Sequence, residues 1–132
     1  ELKAGNLDKA KQYLEPVLQQ FRSRKALALL SASLTVLSRI ELASNRLTEA
    51  EVAARESVQI EYQRVSGRTF NIANYETQLA QVLMRKGRLA EAQQLLTYAV
   101  PIIKRSCGPD APMLTQVHAL LNEIEKMKRV QA

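Results

Sequence analysis

The sequence has no tryptophan, one histidine, one cysteine, and only four glycines and four prolines among 132 residues. So few glycines and prolines exclude an all-β chain built on many tight turns. The single cysteine, Cys107, excludes an intrachain disulfide and fits a reducing compartment. The single histidine, His118, leaves one possible centre for a Ser–His–Asp or Cys–His arrangement, and no cluster has zinc-ligand spacing. Aromatic residues make up 5% of the chain, so leucine, alanine, valine and isoleucine must build the core. The longest uncharged stretch, residues 26–38, falls short of the ~18 residues a membrane span needs. No glycine-rich phosphate loop appears, and no signal-peptide pattern follows Glu1. A first residue that is not methionine is expected of a piece of a longer protein, so a targeting signal cannot be sought here.

Apolar residues are plentiful at 46%, enough for a core in one domain or a short stack of repeats. The formal charge is +6, which favours acidic partners. The chain also repeats itself. "GNLDKAKQYL" at 5–14, "NRLTEAEVAA" at 45–54 and "GRLAEAQQLL" at 87–96 share one template, at offsets of 40 and 42 residues. Gly5, Asn45 and Gly87 suit the left-handed turn between two helices. Asp8 and Thr48 stand where N-caps belong, and Thr48 with Glu51 matches a capping box. Ala90 holds the same place in the third copy and cannot cap.

Helical periodicity follows each turn. The stripes are Leu7, Ala10, Leu14, Val17, Leu18 and Phe21; then Leu47, Ala50, Ala53, Ala54, Val58 and Tyr62; then Leu89, Ala92, Leu95, Leu96, Ala99 and Ile103. Similar stripes precede the later turns and close the chain. The pattern predicts helices over 7–21, 25–43, 48–64, 70–86, 90–105 and 111–129. Basic or Gly/Pro segments at 22–25, 64–68 and 104–112 separate them. Pro16 and Pro101 fall inside predicted helices, where bends are expected, with a full break as the alternative.

Helix, turn, helix at this spacing resembles the tetratricopeptide repeat. The turn places are Gly5, Asn45 and Gly87, followed by Leu7, Leu47 and Leu89, then Ala10, Ala50 and Ala92. Leu37 with Ser38, and Leu79 with Ala80, hold the Leu-small pair of the first helices. Repeats of about 40 residues resemble the longer kinesin-light-chain variety, as does the linker "AVPIIKRSCGPDAP" at 99–112. Asn45 for Gly, Glu41 for a large apolar residue and a small Ala54 depart from the pattern, and Ala54 implies loose packing of the middle pair. The resemblance implies an all-α fold, an α-solenoid of antiparallel helix pairs in a right-handed superhelix. It divides one domain, 1–132, into a partial repeat (1–22), two repeats (23–65 and 66–107) and a C-terminal capping helix (108–132).

The resemblance further implies a concave groove lined by Thr35, Arg39, Asn74, Thr77, Gln78, Gln81, Arg85, Gln116 and Glu123, suited to a peptide backbone or carboxylate. A second candidate comes from the charge pattern. Arg22, Arg24, Lys25, Arg64, Arg68, Lys104 and Arg105 fall in or beside the linkers and would form a basic edge. The plainer reading of these cations is compensation of helix C-terminal dipoles. His118 and Cys107 read more simply as structural or surface residues than as catalytic ones.

The expected function is non-catalytic protein–protein interaction, scaffolding or regulatory, with no cofactor and no metal. The partner is a protein or peptide, acidic if it meets the basic edge, or another domain of the same polypeptide, and a cytoplasmic location is expected. Two alternatives stand beside it. One is homo-oligomerisation through an apolar face of the first helix (Leu7, Leu14, Val17, Leu18 and Phe21). The other is nucleic-acid binding along the basic edge, which the scarcity of aromatic stacking platforms disfavours. Nucleic-acid binding predicts a loss of roughly 0.9 log units of affinity per decade of salt for each phosphate neutralised on a duplex. A salt-independent titration removes it.

Overall fold

Segments rich in leucine, alanine, glutamate, glutamine and arginine carry high helix propensity, and their apolar stripes give each helix one face to bury. The computed structural model describes residues 4–131. Among them are six helices and no strand: α1 (Ala4–Ser23), α2 (Leu27–Ala43), α3 (Leu47–Arg64), α4 (Phe70–Arg85), α5 (Leu89–Cys107) and α6 (Pro112–Gln131). The fold is all-α, as the sequence predicts. Two compact units divide it, one holding α1 to α3 and ending at Ser66, the other beginning at Gly67 and holding α4 to α6.

Three-residue connections join α1 to α2, α2 to α3 and α4 to α5. All three use the same device. Lys25 (φ 54°), Asn45 (φ 61°) and Gly87 (φ 80°) adopt left-handed backbone. At each site the N–H of that residue reaches back three positions and the next N–H reaches back five: Lys25 to Arg22 and Ala26 to Phe21, Asn45 to Leu42 and Arg46 to Glu41, Gly87 to Met84 and Arg88 to Leu83. This double bond pattern closes a helix on two of its otherwise orphaned carbonyls. The chain reverses at once, so α1 with α2, α2 with α3, and α4 with α5 pack antiparallel.

In the first unit α2 packs against both α1 and α3. Leu18, Leu30, Leu34 and Ile60 form the centre of the core, flanked by half-buried Leu14, Phe21 and Leu37. Each fully buried leucine or isoleucine contributes about 1.5–3 kcal/mol relative to exposure. Ala50, Ala53 and Ala54 are buried, and the Ser38 hydroxyl of α2 donates to the Ala50 carbonyl of α3 at 2.8 Å. A side-chain hydroxyl as short as serine's reaches that carbonyl only if the helices approach closely. Ala54, one turn further along α3, is fully buried.

In the second unit α5 packs against α4 and α6, and α4 touches α6. Its fully buried side chains include Ile72, Val82, Leu83, Leu96, Ile103, Val117 and Ile124. Thr69 caps α4, its hydroxyl accepting the Ile72 N–H at 3.3 Å, a signal the sequence reading missed. Gly108 ends α5 with φ 91° and ψ 164°, a conformation essentially reserved for glycine.

Several local expectations are corrected. Gly5 lies within α1 and makes no turn; the chain reverses at Lys25 instead. Asp8 sits inside α1 and caps nothing. Thr48 is the second residue of α3, the N-cap position belongs to Arg46, and Glu51 pairs with Arg55 at 2.7 Å, so no capping box forms. Helices α1 and α5 run unbroken through Pro16 and Pro101, which removes the alternative of a full break there. The first-helix face expected to be exposed is largely covered by the returning α2: Leu7 and Leu18 are buried, Leu14 and Phe21 are half-buried, and only Val17 stays exposed.

The left-handed turns generate a paired test. A non-glycine residue in this conformation costs roughly 1–2 kcal/mol. Lys25→Gly should therefore raise the urea midpoint by about that cost less glycine's greater unfolded-state freedom, a net of about 0.5–1 kcal/mol. Gly87→Ala should lower stability by about 1 kcal/mol. A Cβ there meets only the Gln131 side chain, at 3.9 Å, so the effect is conformational and not steric.

Candidate functional site

Helix α4 is the most deeply embedded element. Of its 16 residues, only Asn71 and Arg85 are fully exposed. Phe70, Asn74 and Gln81 are half-buried, and the rest are buried. Asn71, Asn74, Gln78, Gln81 and Arg85 lie at i, i+3, i+7, i+10 and i+14, which places them on one face. Gln78 is buried at 4% exposure, so the accessible part of this polar stripe is Asn71, Asn74, Gln81 and Arg85.

The structure separates the residues assigned to a groove. Thr35 and Thr77 are buried, and each hydroxyl donates to the carbonyl four residues back in its own helix, Thr35 to Ser31 at 3.1 Å and Thr77 to Ala73 at 2.8 Å. These two side chains satisfy their hydrogen-bonding capacity inside the fold. Arg39 is exposed on α2, and Gln116 and Glu123 are exposed on α6. On α2, positions 29, 32, 36, 39 and 43 correspond to the α4 stripe, because the turns at Asn45 and Gly87 stand 42 residues apart. There the residues are Leu29, Ala32, Val36, Arg39 and Ala43, all exposed and mostly apolar.

The basic residues divide into two sets. Arg22, at the end of α1, grips Glu56 of α3 with two hydrogen bonds of 2.5 and 2.9 Å. Arg64 holds Glu61 at 3.0 and 2.9 Å. Arg68 pairs with Glu76, and its guanidinium lies 5.2 Å from the centre of the Tyr98 ring. Arg24, Lys25, Lys104 and Arg105 are exposed and make no ion pair among the described residues. Lys104 and Arg105 belong to the last turn of α5, and not to a linker, so they face the negative end of the helix dipole. Cys107 ends the same helix and is exposed, and His118 is exposed on α6.

The fold also contains buried carboxylates, among them Glu41, a departure from the repeat pattern. Glu41, at 4% exposure, receives Lys11 of α1 at 3.2 Å and Arg46 of the α2–α3 turn at 2.8 Å. It ties three elements together where an apolar residue was expected. Glu61, at 1% exposure, accepts the Ser31 hydroxyl of α2 at 3.2 Å as well as Arg64. Among the described residues no group of three or more His, Cys, Asp or Glu side chains could hold a metal, and no helix is long and apolar enough to cross a membrane.

The Arg22–Glu56 pair has a pH signature. Hydrogen bonding to Arg22 holds the Glu56 carboxyl below its ordinary value, against a smaller opposing effect of burial. A lowered carboxyl value in the folded state stabilises the fold above the unfolded value and loses that stabilisation as pH falls through the folded one. Both side chains are substantially solvated, so the pair contributes about 0.2–1 kcal/mol. Glu56→Gln should lower stability by that amount near neutral pH and converge with wild type in acid, measured by urea denaturation at several pH values.

Residues 30–71 match a family model described as the tetratricopeptide repeat. The match spans α2, the turn at Asn45, α3 and the start of α4. The roughly 40-residue spacing agrees with the kinesin-light-chain variety. No curated protein matches the chain. Repeats of this type generally mediate protein–protein interaction.

Proposed function

We propose, for a chain that is a repeat protein of the tetratricopeptide type, that it is a non-catalytic module binding an extended peptide or a neighbouring protein segment. The observation that supports this reading is the accessible polar stripe of α4, Asn71, Asn74, Gln81 and Arg85, on a helix whose other faces are almost wholly buried. A side-chain amide both donates and accepts, which matches the alternating N–H and C=O groups of an extended backbone. Arg85 adds a guanidinium suited to a carboxylate. A buried helix presents such a row with little freedom to move, which lowers the ordering cost of binding. The role is that of a scaffold or regulatory domain in the cytoplasm, engaging a partner protein or another domain of the same polypeptide.

Nucleic-acid binding receives less support, because Arg22, Arg64 and Arg68 are each neutralised by a glutamate in the fold. Self-association through α1 also loses ground, since most of the face it needed is covered by α2.

A peptide-display selection against the chain, followed by affinity measurement on an Asn74→Ala/Gln81→Ala variant of unchanged helicity, tests the reading. Two lost hydrogen bonds of about 0.5–1.5 kcal/mol each should weaken the selected peptides by about tenfold. Undiminished binding would move the site off α4.

A further inference from the structure

The second unit carries a cleft of about 350 Å³ that is distinct from the α4 stripe and takes in two residues of the expected basic edge, Arg68 and Arg105. Arg68, Thr97, Tyr98, Pro101, Ile102 and Arg105 line it. All but Arg68 come from successive turns of α5. Arg68 comes from the segment before α4, is anchored by Glu76, and lies over the Tyr98 ring. Its guanidinium is therefore fixed as one wall of the cleft, and Arg105 supplies the other cationic group.

We propose that this cleft binds a glutamate or aspartate side chain of an acidic peptide, with an adjacent apolar residue of the peptide resting on Pro101 and Ile102. Three features carry the assignment. First, charge: Arg68, Glu76 and Arg105 sum to +1, which matches one carboxylate better than a doubly charged phosphate. Second, geometry: Arg105 is exposed and makes no ion pair among the described residues, so its fork of donors is available for bidentate contact with a carboxylate. Third, apolar surface: the exposed Pro101 ring lies in the cleft beside Ile102 and gives an apolar neighbour of the bound carboxylate a place to rest.

The site stands independently of the α4 stripe, and the test separates the two. The probes are acetyl-Leu-Glu-Leu-amide and its glutamine counterpart, titrated into the 15N-labelled chain and followed by amide chemical shifts. The glutamate peptide should give saturable shifts concentrated at residues 97–105. Arg105→Gln should weaken it by about tenfold or more, as expected for loss of a charge-assisted hydrogen bond. The glutamine peptide should bind wild type as weakly as the glutamate peptide binds Arg105→Gln. Arg24→Gln, an exposed arginine of the other unit, and the Asn74→Ala/Gln81→Ala variant should leave the affinity unchanged. No saturable shift, shifts centred elsewhere, equal binding of the two peptides, or an Arg105→Gln affinity within twofold of wild type would each overturn the proposal.

Discussion

Two helices of 17 and 18 residues can pack along their whole length only if the chain between them reverses within three residues. That constraint governs each unit. A reversal this short requires one residue in left-handed backbone, and it requires the closing carbonyls of the first helix to find donors in the turn itself. Lys25, Asn45 and Gly87 meet the requirement with one hydrogen-bond scheme despite three different side chains. Glycine does so without steric cost, asparagine at modest cost, and lysine against its preference. The lysine turn holds because α1 and α2 bury Leu18, Leu30 and Leu34 together, and that burial outweighs the local strain.

Once the helices are antiparallel and close, small residues and buried carboxylates become consistent with each other. Alanine at 50, 53 and 54 brings α3 near α2, leaving room at the ends of the interface for long side chains. Glu41 and Glu61 occupy those ends. An unpaired carboxylate there would be strongly destabilising, and each is paired: Glu41 with Lys11 and Arg46, Glu61 with Arg64 and the Ser31 hydroxyl. No buried side-chain nitrogen or oxygen among the described residues lacks a hydrogen-bond partner. These pairs do more for register than for net stability, because desolvation offsets much of the Coulombic gain. Sliding α2 past α3 by one turn would take the Ser31 hydroxyl away from Glu61.

The helices and the Asn45 and Gly87 turns were legible in the sequence because periodicity and turn chemistry are local. Their ends came out within a few residues of the predicted limits. The break at 22–25 was legible, but the left-handed backbone of Lys25 was not, since lysine carries no such signal. Gly5 carried that signal in a place that is helical. Of the residues expected in a groove, Asn74, Gln81 and Arg85 are accessible on one face of α4. Thr35 and Thr77 were expected there too, yet short hydroxyls fold back onto their own helix carbonyls. Three of the seven residues expected on a basic edge, Arg22, Arg64 and Arg68, pair with glutamates in the fold. Counting arginines by position ignores glutamates distant in sequence, and Glu56 lies 34 residues from Arg22.

The two first-type helices, α2 and α4, show how one repeat geometry is put to different uses. Positions 42 residues apart share a register, but α2 fills its exposed stripe with Leu29, Ala32, Val36 and Ala43, and α4 fills the same stripe with amides and Arg85. Helix α2 exposes all five positions, whereas α4 buries Gln78 and keeps Asn71, Asn74, Gln81 and Arg85 accessible. The shared geometry lies in the turns, and the exposed chemistry differs between the two helices. Asparagine is a poorer helix former than alanine or leucine, so helix propensity does not account for Asn71 and Asn74. That asymmetry between α2 and α4 is the strongest physical reason to seek a hydrogen-bonded peptide on α4 before any other face.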